Sequence, residues 1–319
     1  MKQLLFFISA IVLLAACGNK TGKVAEVAPA DSDSTVAQVV EKPQIPALKT
    51  DSFGMSKSDE KAEVSVEVDW PVEGDSALVL AVRKYICDDL KVKLSTDGKS
   101  VVKKAFKSYY SATVGQWEEL YMSNDDDDSE DADAGDDEDD EPVKGPPFSN
   151  AISFKKVADT DKYVSFIVET YGYYGGAHGM SSRAGVTFSK ATAKTIGYVQ
   201  QYNDKTNTFS IRKQTLFNEK VKSKDFNALL KSGLKEYFAE VTGNGKKRLS
   251  DSELAEMLMG EKVSNLPLPG NPPHFTKDGL EFIYQQYEIA AYCYGMPTFT
   301  IPYESIMPFL TPEGVELAK

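Results

Sequence analysis

The stretch Glu63-Val-Ser-Val-Glu-Val-Asp-Trp70 decides the fold, because apolar and polar residues alternate along all of it. Alternation with a period of two predicts a β-strand with one face buried and the other exposed. On its C-terminal side, the helical spacing of apolar residues predicts two helices, at 78–90 and 100–121. Further strands are predicted at 151–157, 163–171, 183–188 and 208–212.

The last third of the chain has the same mixed character. Apolar residues from Phe226 to Val241 recur on one face and predict an amphipathic helix over 224–241. Ser250 and Glu253 form a capping box, which predicts the start of another helix. Two strands and a short helix complete the chain, at 280–287, 298–301 and 304–310. Since strands and helices are interleaved without a regular βαβ period, the predicted fold is α+β, with a mixed, mainly antiparallel sheet and packed helices.

The N-terminal end carries a targeting signal. Lys2 precedes an apolar run over 4–14, and Leu14-Ala-Ala-Cys17 follows. The run is much shorter than the ~20 residues of a membrane-spanning helix, and a charged start before such a run is typical of a secretory signal. A cysteine directly after small residues predicts a lipoprotein, with a signal peptide over 1–16 and acyl chains on Cys17 that hold it on the membrane. An ordinary signal peptide with a chance cysteine is the alternative.

The residues after Cys17 predict a location and a tether. No acid occurs in 18–24, which favours an outer-membrane lipoprotein that faces the periplasm, with the cell surface as the alternative. Residues 17–58 are rich in Ala, Val, Ser, Asp and Pro and show no sustained period. Such a composition predicts a flexible, disordered tether between the membrane and the folded body.

A second segment without a core pattern interrupts the body. Thirteen acids and no base lie between Asp125 and Glu141, and like charges at this density oppose packing, so a disordered acidic insert is predicted over 123–147. The net charge of the whole chain is −12, so the residues outside the acidic run are close to neutral. Their electrostatics give no reason to expect nucleic-acid binding.

Motifs of catalytic chemistry are missing from the sequence. It contains no Gly-x-Ser-x-Gly elbow, phosphate-binding glycine loop, His-Glu-x-x-His or Cys-x-x-Cys, and its two histidines are far apart. We therefore predict no metal site, no cofactor and no enzymatic activity. Cys87 and Cys293 are interpreted as two buried thiols, or alternatively as a disulfide that joins the two halves of the body, which an extracytoplasmic compartment would permit.

Two tyrosine-rich segments are the candidate binding residues. Tyr171-Gly-Tyr-Tyr-Gly-Gly-Ala-His-Gly179 follows a predicted strand, and Tyr287-Glu-Ile-Ala-Ala-Tyr-Cys-Tyr-Gly295 follows another. Tyrosine rings offer flat faces to sugars or proteins, and we expect the two segments to line one shared groove. Core packing is the alternative. The candidate residues are Tyr171, Tyr173, Tyr174, His178, Tyr287, Glu288, Tyr292 and Tyr294.

These segments also carry a family resemblance. The turn Gly175-Gly-Ala-His-Gly179, the helix that follows, Asp278-Gly-Leu-Glu-Phe282 and Tyr287-Glu-Ile-Ala290 occur in this order. The arrangement resembles the extracytoplasmic module shared by the lysozyme-sensing anti-sigma factor RsiV and the non-catalytic part of the peptidoglycan deacetylase PdaC. The resemblance implies a PdaC-like N-terminal domain over 59–200, which contains the acidic insert, and an RsiV-like C-terminal domain over 201–319.

The resemblance also implies a function. The protein is expected to be a lipid-anchored envelope binding protein without enzymatic activity, which recognises a lysozyme-like protein or the glycan of peptidoglycan. The alternative is a cell-wall hydrolase or a deacetylase-accessory protein that acts in the tyrosine-rich cleft.

Replacing Cys17 tests the lipoprotein prediction. The Cys17→Ala protein should incorporate no labelled fatty acid and should be extracted from cells without detergent, because its only predicted acylation site is gone. The measurement is metabolic labelling with a fatty acid followed by detergent phase partition, with Cys87→Ala as the control that keeps its label. Label that persists in Cys17→Ala would contradict the prediction.

Overall fold

The alternating stretch at 63–70 lies in the second strand of a six-stranded sheet. The computed structural model describes residues 45–122, 145–203, 208–243, 245 and 247–319. The elements of the first half are β1 (Lys49–Ser58), β2 (Ala62–Glu73), α1 (Ser76–Asp89), α2 (Gly98–Tyr121), β3 (Phe148–Asp159), β4 (Tyr163–Tyr173), β5 (Met180–Ser189) and β6 (Lys194–Ile196).

The second half is built from shorter elements around one long helix. They are β7 (Val199–Asn203), β8 (Thr208–Arg212), α3 (Lys224–Val241), α4 (Asp251–Met257), β9 (His274–Phe275), β10 (Gly279–Ile283), β11 (Thr298–Pro302), α5 (Tyr303–Ile306) and α6 (Pro312–Ala318). Here β7 and β8 pair as a hairpin, and β11, β10 and β9 form a three-stranded sheet in that order.

The large sheet has the order β1-β2-β3-β4-β5-β6, and only β2 and β3 are parallel in it. A parallel pair needs a long crossover, and α1 with α2 supplies it, so both helices pack on one face of the sheet. Asp75 and Asp97 cap the N-terminal ends of these helices. The architecture confirms the predicted α+β fold with a mainly antiparallel sheet.

Each half has its own hydrophobic core. The first lies between the sheet and the two helices and contains Val64, Val66 and Val68 of β2. The second surrounds α3 and the three-stranded sheet, with Phe226, Leu230, Leu234 and Phe238 along the buried side of α3. The second core also contains Tyr163, Ile196 and Tyr198, which precede residue 200. Side chains of the first half therefore help to build the second core.

Two predicted boundaries are corrected by the structure. The tether predicted through residue 58 includes β1, which pairs with β2 along its whole length. Eight of its ten residues are exposed, so no buried alternation marks it, and it forms by pairing with the backbone of β2. The strand predicted over 280–287 ends at Ile283, and Tyr287 has a φ of 62°, which an extended strand does not permit. Residues 1–44, which include the predicted signal peptide, Cys17 and most of the predicted tether, lie outside the described residues, as do residues 123–144 of the predicted acidic insert.

The structure leaves both cysteines of the body free, so the alternative of a disulfide is corrected. Cys87 lies on the buried side of α1 in the first core, and Cys293 is exposed in a 3-10 turn over Tyr292–Tyr294, so the interpretation as two buried thiols is wrong for Cys293. A thiol in the core and an exposed thiol on a turn do not meet. Among the described residues, no helix is both long and apolar enough to cross a membrane.

A buried ion-pair cluster fixes the beginning of the body to the sheet. The Lys190 side chain is only 1% exposed, and its Nζ lies 2.7 Å from Oδ1 of Asp159 and donates to the Pro46 carbonyl at 3.1 Å. The other oxygen of Asp159 accepts from the Leu48 N–H at 2.9 Å and pairs with Lys156 at 3.2 Å. One carboxylate therefore pairs with two lysines and holds the chain where it enters β1.

Removing that carboxylate should destabilise the whole body. Asp159→Ala leaves the Lys190 ammonium buried and unpaired, which costs about 3–5 kcal/mol. The matched control is Asp88→Ala, which breaks the exposed Lys84–Asp88 pair and should cost less than about 1 kcal/mol. Urea unfolding curves give both values. Equal costs for the two variants would show that the Asp159 cluster does not hold the body together.

Candidate binding site

The face of the sheet opposite α1 and α2 carries small and polar side chains. Because strand residues alternate, Ser65 and Glu67 point away from the core that holds Val64 and Val66. The residues that pair with Ser65 and with Glu67 on the neighbouring strands continue each of them into a row across the sheet. The first row consists of Ser65, Ala151, Tyr171 and Ser181, and the next row consists of Glu67, Ser153, Glu169 and Arg183.

The second half of the chain covers part of this open face, mainly over β4 and β5, and it also reaches Ala158 at the end of β3 and Ile196 of β6. The ring of His274 lies directly on Gly185, where a Cβ atom would come within 2.2 Å of Nδ1, so only glycine fits there. Beside it, the Phe275 N–H donates to the hydroxyl of Thr187 at 2.9 Å. The rest of the face remains uncovered.

A groove of about 380 Å³ lies where the uncovered face meets the second half. Both rows line it, and Met296 contributes from the second half. A neighbouring hollow of about 380 Å³ over β1 to β3 shares Ser65, Ala151 and Tyr171 with the groove. The two together form one elongated surface, which we call the sheet groove.

Two glutamines, which sequence reasoning missed, fix the second half to the outer edge of β5. The Gln285 side chain accepts from the Arg183 N–H at 3.0 Å and donates to the Arg183 carbonyl at 2.8 Å, as a paired strand would. Gln286 accepts from the Ser181 N–H at 2.9 Å. These bonds occupy backbone groups of a sheet edge that would otherwise be free to pair with another chain. No local signal marks the two glutamines for this role.

Charged groups in the sheet groove are paired with each other. Arg183 lies 3.2 Å from Glu169 and 3.2 Å from Glu281, and Lys155 lies 2.8 Å from Glu67. Behind Arg183, the His274 Nε2 is 3.7 Å from Glu281, and its Nδ1 has no hydrogen-bond partner among the described residues. Burial, together with the positive charge of Arg183, lowers the pKa of His274 to about 4.

An exposed aromatic cluster stands beside the groove and consists of His178, Tyr287 and Tyr292. The His178 and Tyr292 rings stack with centroids 3.9 Å apart, and Tyr287 lies 5.7 Å from Tyr292. His178 Nδ1 is 3.0 Å from the Gly179 carbonyl, which can only accept, so Nδ1 carries the proton. Nε2 of the neutral ring then accepts from the Tyr287 hydroxyl at 3.2 Å.

Tyr171 connects this cluster with the groove. Its ring covers Gly179, where a Cβ atom would lie 2.4 Å from the Tyr171 hydroxyl oxygen. Tyr171 is also 41% exposed and lines both parts of the sheet groove. Four of the predicted residues, Tyr171, His178, Tyr287 and Tyr292, are therefore brought together from two distant segments.

The other four predicted residues lie elsewhere, which corrects the expectation of one groove shared by both segments. Tyr173 and Tyr174 pack against Phe148, with centroid distances of 6.5 and 5.8 Å. Tyr294 packs on Phe238 at 5.6 Å in the second core. Glu288 turns inward, where the N–H groups of Gln285 and Gly270 donate to it and burial raises its pKa. Within the described ranges, no three His, Cys, Asp or Glu side chains are grouped to hold a metal ion.

Two family models match separate parts of the chain. The family model described as deacetylase PdaC matches residues 58–181. The model DUF3298, described as a protein of unknown function, matches residues 214–304. The chain therefore carries a PdaC-like segment followed by a DUF3298-like segment, which we call the PdaC part and the DUF3298 part. The open sheet face through Ser181 lies in the PdaC part, and Met296, Tyr287 and Tyr292 lie in the DUF3298 part.

One solved structure is similar to this chain at the level of the fold. A crystal structure of a DUF3298 family member from Bacteroides fragilis has a TM-score of 0.58 and 16% identity, and the match covers 84% of this chain and 95% of that chain. A DUF3298 family protein from Pseudomonas aeruginosa has a TM-score of 0.48 and 14% identity, with the same coverage. No curated protein matches the chain.

The junction of the two parts should lose stability in acid through His274. The folded protein keeps this ring neutral down to about pH 4, whereas the unfolded chain protonates it below its ordinary pKa of 6.5. Between these two pH values the unfolded state binds the extra proton, so the free energy of unfolding falls by about 3 kcal/mol as the pH drops. Denaturant titrations of the native protein and of His274→Gln, from pH 7 to pH 4, measure this loss.

His274→Gln lacks this titration, so its free energy of unfolding should fall by about 3 kcal/mol less than that of the native protein between pH 7 and pH 4. This difference is expected even if the variant is less stable at pH 7. Acidic groups such as Glu288 titrate in both proteins and cancel in the comparison. Parallel pH profiles for the two proteins would contradict the role given to His274.

Proposed function

We propose that this protein is a lipid-anchored envelope protein that binds peptidoglycan glycan in the sheet groove, without acting on it as an enzyme. Cys17 attaches it to the outer membrane, and its body faces the periplasm. The observation that carries the proposal is the exposed ring of Tyr171 beside rows of serine hydroxyls and paired charges.

This combination of groups suits a sugar chain. Sugar rings place an apolar face on an aromatic ring, and their hydroxyl and amide groups bond to polar side chains around it. Tyr171 supplies the ring, while Ser65, Ser153 and Ser181 supply hydroxyls along the floor. Arg183, which is held by Glu169 and Glu281, offers its remaining N–H donors to hydroxyl and amide oxygens of the sugar chain.

The shape of the sheet groove suits a polymer. It continues from Met296 across β4 and β3 to β1, because its two hollows share Ser65, Ala151 and Tyr171. A ligand chain could therefore enter at one side and leave at the other, as a strand of the wall must. A site for one small molecule would be closed at its ends.

The charges of the groove favour binding over catalysis. General acid–base chemistry needs a carboxyl group or an imidazole that is free to exchange a proton with the substrate. Glu67 is held by Lys155, and Glu169 is held by Arg183. In this pairing the carboxylates act as hydrogen-bond acceptors for the ligand.

A second candidate ligand is a lysozyme-like protein, and the aromatic cluster favours it. Tyr287 is 46% exposed at the rim, next to the stacked His178 and Tyr292 rings. Exposed aromatic residues are enriched among the anchors of protein interfaces. The resemblance to the lysozyme-sensing module supplies this partner class.

Two tyrosines with similar exposure allow a matched test of glycan binding in the sheet groove. Tyr171→Ala removes the ring in the groove, and Tyr174→Ala removes a ring of 44% exposure that packs on Phe148, outside the groove. Calorimetric titration of residues 18–319 with soluble peptidoglycan fragments should give a Kd at least ~10-fold weaker for Tyr171→Ala, the loss typical of one anchor. Tyr174→Ala should bind like the native protein.

Parallel titrations separate the candidates. If a lysozyme binds and the glycan does not, and if Tyr287→Ala weakens the binding of lysozyme, the second candidate is supported and the first is excluded. Equal losses of glycan affinity in Tyr171→Ala and Tyr174→Ala would show that the sheet groove is not the binding site. Release of soluble products from the glycan would instead support the hydrolase alternative.

A further inference from the structure

We infer that the outward side of α2 is a docking surface for an anionic phospholipid membrane. The surface consists of Lys99, Lys103, Lys104 and Lys107, with Lys91 and Lys93 in the loop that leads into the helix, and we call it the lysine face. All six side chains belong to exposed residues. Between Leu90 and Trp117 these six lysines are accompanied by a single acid, Asp97, which caps the helix.

Helix geometry places these lysines on one side. Lys99, Lys103 and Lys107 follow one another at intervals of four residues, which share a side of an α-helix. Val101, Val102, Ala105 and Phe106 lie between them in sequence and are buried against the sheet. The lysine face is therefore the solvent side of a helix whose other side is fixed by the first core.

The lysines of this face lack internal partners. No described carboxylate pairs with Lys93, Lys99, Lys103, Lys104 or Lys107, whereas nearby lysines are paired, Lys61 with Glu118 at 2.7 Å and Lys84 with Asp88. Lys99 also lies in the first turn of α2, at the positive end of the helix dipole, and the like charges of the four helical lysines repel one another. An anionic surface outside the molecule would relieve this repulsion.

A membrane is the anionic surface that the chain can reach. Only 27 residues separate Cys17 from Ile45, so an acylated Cys17 keeps the body within about 90 Å of the bilayer even at full extension. Acyl chains and a basic patch act together in membrane attachment. The net charge of −12 does not prevent this, because charges more than ~10 Å away are largely screened in ~0.1 M salt.

Docking on this face would orient the groove. The helices cover one face of the six-stranded sheet, and the sheet groove opens on the other. A body that rests on its lysine face therefore presents the groove away from the membrane. This orientation follows for any ligand of the groove, and the inference stands independently of the glycan proposal.

Vesicle sedimentation tests the inference. The acyl-free chain, residues 18–319, should sediment with phosphatidylcholine vesicles that contain ~30% phosphatidylglycerol but not with pure phosphatidylcholine, and salt at ~0.5 M should abolish binding. The triple variant Lys103→Gln, Lys104→Gln, Lys107→Gln should bind about 10²-fold more weakly, since each basic residue at an anionic surface contributes about five-fold.

A triple variant with the same charge change elsewhere is the control. Lys220→Gln, Lys222→Gln and Lys224→Gln remove three exposed lysines of the second half and should leave vesicle binding unchanged. Thermal unfolding of the α2 variant should stay close to the native temperature, because its three lysines are exposed and have no carboxylate partner to lose among the described residues. Folding is therefore not a hidden cause of weaker binding.

Fluorescence quenching checks the orientation. A dye on the exposed Cys293, beside the sheet groove, should escape quenching by spin-labelled lipids, whereas a dye on Ser108→Cys in a Cys293→Ser chain should be quenched. Equal binding to neutral and anionic vesicles, equal losses in both triple variants, or quenching at Cys293 alone would overturn the inference. Binding to soluble polyglutamate without binding to vesicles would also overturn it, in favour of an anionic polymer.

Discussion

The contact between His274 and Gly185 is the constraint on which the rest of the structure depends. It brings the DUF3298 part down onto β5, and the side-chain amide of Gln285 continues the attachment along the strand edge. Both contacts are made to the backbone of β5, so they depend on the close approach of the second half to this strand. A larger residue at 185 would lift the second half and open the junction where the groove begins.

The groove follows from this partial coverage. The second half rests mainly on β4 and β5, so the serine and charge rows extend onto β2 and β3 as a groove, and Met296 becomes one wall. Because α1 and α2 cover the opposite face, the molecule presents two opposed surfaces: a polar groove and a basic helix. An envelope protein that is anchored to one layer and binds another would need such opposed surfaces.

Local patterns predicted the elements, but contacts between distant residues had to come from the structure. Alternation at Glu63–Trp70 and the capping box of Ser250 and Glu253 marked a strand and a helix correctly. The exposed β1 has no pattern of its own and forms only on β2. Tyr292 and Tyr294 are two residues apart, yet the 3-10 turn sends one to the aromatic cluster and the other to the second core, which composition does not distinguish.

Hydrogen–deuterium exchange with soluble peptidoglycan fragments is the most direct test of the central claim, that the junction of the two parts is a binding groove. We expect slower exchange in two separate segments. One is the end of β4 together with the start of β5, and the other is the loop around Met296. We also expect no change in α2. Protection confined to one segment distant from the junction, or none at ligand concentrations that saturate binding, would contradict this claim.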